Sequence, residues 1–138
     1  MAKTSIACIA FNENKVLIAH RNPTGQMGGR WEFPGGKVEE GETEEQAVLR
    51  EFNEEFGVNV TVGPQIASAI FKHNGNNILL SAHLVQLPHD GIAVPFTLTE
   101  HTEYRWAEFS EIPTLDFVDS DMMIYAQVVQ YYVQNIAK

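Results

Sequence analysis

The sequence predicts an α+β fold, in which strands are combined with two helices. Three observations carry this. Apolar, partly β-branched runs bounded by turn residues recur along the chain, Ser5 to Phe11 and Ile78 to Leu87 among them. A stretch free of Gly and Pro, Thr43 to Phe56, repeats apolar residues three and four apart. A second such stretch lies near the end, at about Ser120 to Ile136.

Ser5 to Phe11 is expected as a buried strand, Asn12-Glu13-Asn14 as a hairpin turn and Lys15 to His20 as the returning strand. Arg21 ends that strand and meets a polar, Gly-rich loop, Asn22 to Arg30. That loop serves equally well as a plain connection or as a segment able to move over a ligand. Trp31-Glu32-Phe33 then leads into Pro34-Gly35-Gly36. These three are expected as an irregular turn, whose glycines allow close backbone approach and can set a free carbonyl beside the next helix.

The first helix announces both its ends. Thr43 and Gln46 have capping-box spacing, and Gly57 supplies a left-handed stop. At about 100° per residue, Glu51, Glu54 and Glu55 share one face. Val48, Leu49, Phe52 and Phe56 form the neighbouring face, expected to be buried, while Gln46 and Asn53 point to water. Like charges at these spacings cost a few tenths of a kcal/mol per pair in an exposed helix, and more when desolvated. Two of the three also sit in the last turn, the unfavourable end of the helix dipole. Read as a bare cluster, they are either a solvated face of an acidic protein or the ligands of a hard divalent cation, which prefers oxygen.

Val58 to Val62 reads as a strand broken by Gly63-Pro64, and Ile66 to Lys72 resumes it. His73 to Asn77 is a hairpin turn, and Ile78 to Leu87 answers as a long central strand. His83 within it is expected to be a packed or strand-face histidine. Pro88 to Thr99 is a looser connection; Tyr104 to Phe109 should be a short strand with Trp106 on the core or a pocket wall. Ser110 to Phe117 is a turn region punctuated by Pro113. In the last helix Met122, Met123, Ala126, Val129, Val133 and Ile136 are expected as the core stripe, with Val128 off it and the tyrosines at its edges. Asp119, just before it, suits an N-cap.

The length, 138 residues, fits one domain over residues 1–138. A net charge of −9 argues against a protein that coats a nucleic-acid polymer, because no basic patch is present to release counterions. It leaves nucleotide substrates open, since a bound metal inverts the local field. Cys8 is alone, so no internal disulfide forms, and a cytoplasmic location is the simple reading. The first residues form too short an apolar run for a signal peptide, and no segment is long enough to span a membrane. A monomer or a homodimer is compatible with everything above.

Gly36 to Val58 carries more. It reads Gly, five residues, Glu, seven residues, Arg-Glu, an apolar residue, any residue, Glu-Glu, any residue, Gly and an aliphatic residue. This resembles the signature of the Nudix hydrolases. Gly36, Glu42, Arg50, Glu51, Glu54, Glu55, Gly57 and Val58 all fall in place. Phe52 departs from the usual Leu, Ile or Val but stays apolar. The resemblance implies an α/β/α sandwich with a mixed central sheet and two main helices. It implies hydrolysis of a diphosphate linked to another moiety, with Mg²⁺ or Mn²⁺ held by Glu51, Glu54, Glu55, the Gly35 carbonyl and Glu100. Arg50 would orient a neighbouring carboxylate, and Glu42 would either do likewise from the start of the helix or help the metal shell. The general base is left open between the helix glutamates and Glu100, and Glu103 competes with Glu100 for the loop position.

In MutT-like members of the family, residues in the places of Arg21, Glu32 and Asp119 face the substrate. The Arg lies by the phosphates, and an Asp or Asn reads a nucleobase edge. On its own Arg21 is an ordinary surface charge. With the compact length, this pattern favours a nucleoside triphosphate cleaved to the monophosphate and pyrophosphate, an oxidised purine such as 8-oxo-dGTP first. CTP, a modified pyrimidine triphosphate, a pterin triphosphate and ADP-ribose stay open, although the Pro and Tyr marks of the ADP-ribose and diadenosine polyphosphate subfamilies are missing beyond Gly57. A non-catalytic nucleotide-binding module is the rival of a different class.

Overall fold

The computed structural model describes residues 3–21, 29–88 and 101–136. In chain order its strands are β1 (Lys3–Ile9), β2 (Phe11–Asn12), β3 (Lys15–Arg21), β4 (Trp31–Glu32), β5 (Gly35–Lys37), β6 (Thr61–His73), β7 (Asn76–Gln86) and β8 (His101–Glu108). Helix α1 (Glu44–Phe56) lies between β5 and β6; α2 (Asp119–Asn135) follows a 3₁₀ turn at Phe109–Thr114.

The apolar run of β1 is buried on both faces. Ile6 and Cys8 pack with Ala47, Val48, Phe52 and Phe56 of α1. Ala7 and Ile9 turn the other way, towards Ile124 and Val128 of α2. Alternation of side chains along a strand makes this possible, and burial on both sides explains why the run is nearly continuous in apolar residues. The sheet around β1 has the order β5-β1-β7-β6. Strands β1 and β7 are parallel, and the other pairs are antiparallel. With α1 on one face and α2 on the other, this is the α/β/α sandwich. A second sheet, β2-β3-β4 with β8 on β3, is antiparallel. Strand patterning in the sequence does not distinguish it from the first sheet.

Other differences have identifiable causes. Leu49 is exposed, because it lies a further 100° round the helix from Val48. Gly63-Pro64 does not break the strand; β6 runs through it, with register shifts between Val62 and Ala67 that absorb the irregularity. Gly35 and Gly36 are not in a free turn but in β5, opposite Ala7 and Ile6. Only Gly fits at Gly35, where a Cβ would collide with the Ile6 carbonyl.

Helix α2 is rotated from the expected stripe by roughly a quarter to a third of a turn. Its buried residues are Asp121, Ile124, Val128 and Tyr132, while Met123, Val133 and Ile136 are exposed. Aromatic packing decides this. Tyr132 sits against Phe11 and Phe109 with its hydroxyl on Asn14, and the Tyr125 hydroxyl donates to the Phe109 carbonyl. Edge strand β6 is held to α2 by Gln127, whose amide accepts from Ser68 N–H and donates to Ser68 C=O. Among the described residues, no helix is long and apolar enough to cross a membrane.

Candidate active site

Helix α1 forms as its ends dictate. Gln46 N–H donates to Thr43 Oγ1 at 3.1 Å, and Thr43 N–H donates back to Gln46 Oε1 at 2.9 Å. Gly57 closes the helix at φ 69°, its N–H bonded to the Asn53 carbonyl. The helix therefore starts and stops where the acid face needs it. Glu51 is brought directly over Gly36 of β5: a Cβ on Gly36 would lie 2.5 Å from the Glu51 carboxylate. Glu55 is buried and Glu54 is largely exposed.

Arg50 ties this end of the helix together. Its guanidinium donates to both oxygens of Glu42 at 2.8 and 2.9 Å, to Glu51 at 2.8 Å and to the Lys37 carbonyl at 3.0 Å. Those hydrogen bonds, with the Glu39 N–H, pull the Glu42 carboxyl down to about 2. They push the Arg50 guanidinium up from its ordinary value. Among the described residues, no three His, Cys, Asp or Glu side chains already stand together as a metal shell. Glu54 also lies 3.6 Å from the Arg50 guanidinium that Glu51 engages.

Beside this end lies a cavity of about 670 Å³. Glu51, Gly36, Arg21, Glu32, Ser120 and Asp121 supply its polar lining; Phe33, Phe71, Ile78 and Leu80 supply an apolar one. The register sets the apolar part, because Ile78 pairs with Phe71 while Leu80 and Lys37 both pair with Ser5. Arg21 Nη1 donates to Glu32 at 3.0 Å, whereas its Nε is buried with no partner among the described residues.

Asp119 is not the N-cap. It is the first residue of α2, is almost fully exposed, and lies 3.7 Å from Arg30. Asp121, which the sequence reading passed over, lines the cavity instead. It is 6 % exposed and accepts the Phe33 N–H at 2.9 Å. Burial, and secondly the charge of Glu32, push its carboxyl up to about 8. The signal was in the sequence: Asp121, Ile124, Val128 and Tyr132 share one helical face. Glu100 lies outside the described residues, as does most of the loop before Arg30. Glu103 is exposed on β8, and Trp106 lines a separate cleft with Phe11 and Tyr104.

Comparison with known proteins agrees with this geometry. An 8-oxo-dGTP diphosphatase of Proteus vulgaris is 46% identical over 77 residues, 56% of this chain and 69% of that protein. A CTP pyrophosphohydrolase of Escherichia coli K12 is 42% identical over 77 residues, 56% of this chain and 57% of that protein. The solution structure of the E. coli ORF135 protein superposes with a TM-score of 0.81 at 28% identity, covering 99% of this chain and 95% of that one. The NUDIX domain family matches residues 1–127. The chain thus belongs to the Nudix family and is a Nudix hydrolase acting on acid anhydrides.

Proposed function

We propose that the protein is a metal-dependent pyrophosphohydrolase that cleaves a nucleoside triphosphate to the monophosphate and pyrophosphate. The observation that carries this is the Glu51 carboxylate seated on Gly36 in a cavity that also holds Arg21, Glu32 and Asp121 and an apolar wall of Phe71, Ile78 and Leu80. The donor set fits a hard divalent ion. Glu51, Glu54 and Glu55 are oxygen ligands on one helical face, and their mutual repulsion is relieved by a cation. These three, with the Gly35 carbonyl and Glu100, would hold Mg²⁺ or Mn²⁺. When bound, such ions neutralise diphosphate charge and acidify a water.

The chain's own residues do the rest. Arg50 holds Glu51 and Glu42 in place. Arg21, whose Nε–H is without a partner among the described residues, would donate to a phosphate oxygen, as a planar guanidinium is suited to do. Glu32 orients Arg21. Phe71, Ile78 and Leu80 provide an apolar floor for a base. Asp121 keeps its proton at neutral pH and so can donate to a base edge. The base-reading role expected of Asp119 is assigned to Asp121, while Asp119 pairs with Arg30.

The Proteus vulgaris relative makes an oxidised purine triphosphate such as 8-oxo-dGTP the first substrate to try, and the E. coli relative makes CTP the second. The test is pyrophosphate and phosphate release from a panel of canonical and oxidised nucleoside triphosphates plus ADP-ribose, with and without Mg²⁺. Mg²⁺-dependent pyrophosphate release from one triphosphate supports the reading. Cleavage of ADP-ribose alone overturns the substrate. Nucleotide binding with no turnover on any of them moves the protein to the binding-module class.

A further inference from the structure

A second polar cluster lies under α1, two helical turns from Glu51. Glu44 is the first residue of the helix. Its Oε1 accepts the Ser81 hydroxyl at 2.5 Å and faces His83 Nε2 at 2.9 Å. Gln65 Nε2 donates to Ser81 Oγ at 2.7 Å. Ser81 and His83 are buried on β7, and among the described residues His83 Nδ1 has no partner while its Nε2 faces Glu44 and Ser81. Gln65 sits between the two register shifts of β6, an irregularity that re-aims side chains. Hydrogen bonds from His83, then Ser81, hold the Glu44 carboxyl below its ordinary value.

The sheet register links this cluster to the candidate site. Gly36 of β5 pairs with Ile6 of β1, and Ile6 pairs with Ser81 of β7. Gly36 and Ser81 therefore stand in one row, two strands apart, or roughly 10 Å. Glu44 and Glu51 are seven residues apart, which is about 10.5 Å along the helix and nearly the same face. The two spacings match. Helix α1 is pinned to one row of the sheet at two points, Glu44 on Ser81 and Glu51 above Gly36.

We propose that Glu44, seated on Ser81 and His83, is a positioning residue that fixes where α1 holds Glu51 above Gly36. This rests on Glu51 being a working carboxylate of the hydrolase. Without the far pin, the helix can turn and slide about the near one, and misplacement of a catalytic group by about 1 Å can cost on the order of 10²-fold.

The test compares Glu44→Ala, Glu44→Gln and Ser81→Ala with an exposed control on the same helix, Leu49→Ala. Each is checked for folding by circular dichroism. The readouts are kcat and KM on the triphosphate that the wild type cleaves, and the amide resonance of Gly36 in the metal-free protein. In Glu44→Ala, kcat is expected to fall about tenfold or more per folded molecule, with KM little changed and the Gly36 resonance moved. Glu44→Gln keeps an acceptor for both donors and should restore most of kcat. Leu49→Ala should match wild type. Ser81→Ala removes one donor and should fall between, and it decides the matter if Glu44→Ala folds poorly. An unmoved Gly36 resonance with wild-type kcat in Glu44→Ala or Ser81→Ala overturns the proposal, as does a loss that follows only the folded fraction. If the wild type cleaves no triphosphate, the functional reading fails, and the Gly36 resonance alone still decides whether Glu44 positions the helix.

Discussion

Helices α1 and α2 each bring a carboxylate to the same cavity, and their acids keep or lose protons for opposite reasons. Around α1, Arg50 holds Glu42, just before the helix, ionised down to about pH 2, and two turns from the cavity His83 and Ser81 lower Glu44. At the α2 end, Asp121 has the Phe33 N–H and a distant Arg21 charge against burial and the charge of Glu32, and it keeps its proton up to about pH 8. The residue chemistry is the same. What differs is the number of donors aimed at each carboxylate relative to the cost of desolvating it. The acids of α1 and its lead-in stay charged, whereas the acid of α2 keeps an O–H.

The largest break in this comparison is Glu51→Gln, which removes charge from the α1 end while preserving shape. Turnover is expected to fall by roughly 10²–10⁴-fold, with the circular dichroism spectrum unchanged. Near wild-type pyrophosphate release from this variant refutes the assignment. Next come paired substitutions on α2. Ile124→Ala should cost about 2–5 kcal/mol, whereas exposed Met123→Ala should stay within about 0.5 kcal/mol. Urea unfolding measures both, and equal losses would mean that α2 faces another way. Gly36→Ala is subtler. Its new Cβ must displace the Glu51 carboxylate, so turnover should drop by about 10–10²-fold while stability changes little.

The remaining effects are slopes in pH, and they have opposite signs. Folded Asp121 holds its proton to about 8, while the unfolded chain releases it near 3.8. Between these values the folded state binds more protons, so this group makes stability fall as pH rises from about 4 to about 8. Asp121→Asn should remove that slope from denaturation midpoints taken across the range. Glu42 acts in reverse: its contribution is present above about 4.5 and is lost as pH falls towards 2. Glu42→Gln should flatten the acid side alone.

The parts of the molecule that were legible in the sequence are those with local causes. The α1 caps are a side-chain and backbone exchange within a few residues, so spacing alone located Thr43, Gln46 and Gly57. The acid face of Glu51, Glu54 and Glu55 follows from helix geometry. The orientation of α2 does not, because its apolar residues allow two faces. Tyr132 meeting Phe11, more than a hundred positions away, chooses between them. Asp121 was missed for the same reason. The Glu44–Ser81–His83 cluster was equally hidden, since β7 meets α1 only through the register of three strands. Gly63-Pro64 misled in the other direction, a local breaker overridden by pairing with β7.

The grip of Gln127 on Ser68 has a consequence for how the molecule behaves in company. Strand β6 is the outer member of its sheet, and an outer strand is a template on which a stranger's backbone can add. A side-chain amide carries one donor and one acceptor in the same arrangement as a peptide group. Gln127 thus plays the part of a single residue of a neighbouring strand and occupies the backbone groups of Ser68 that an added strand would otherwise pair with.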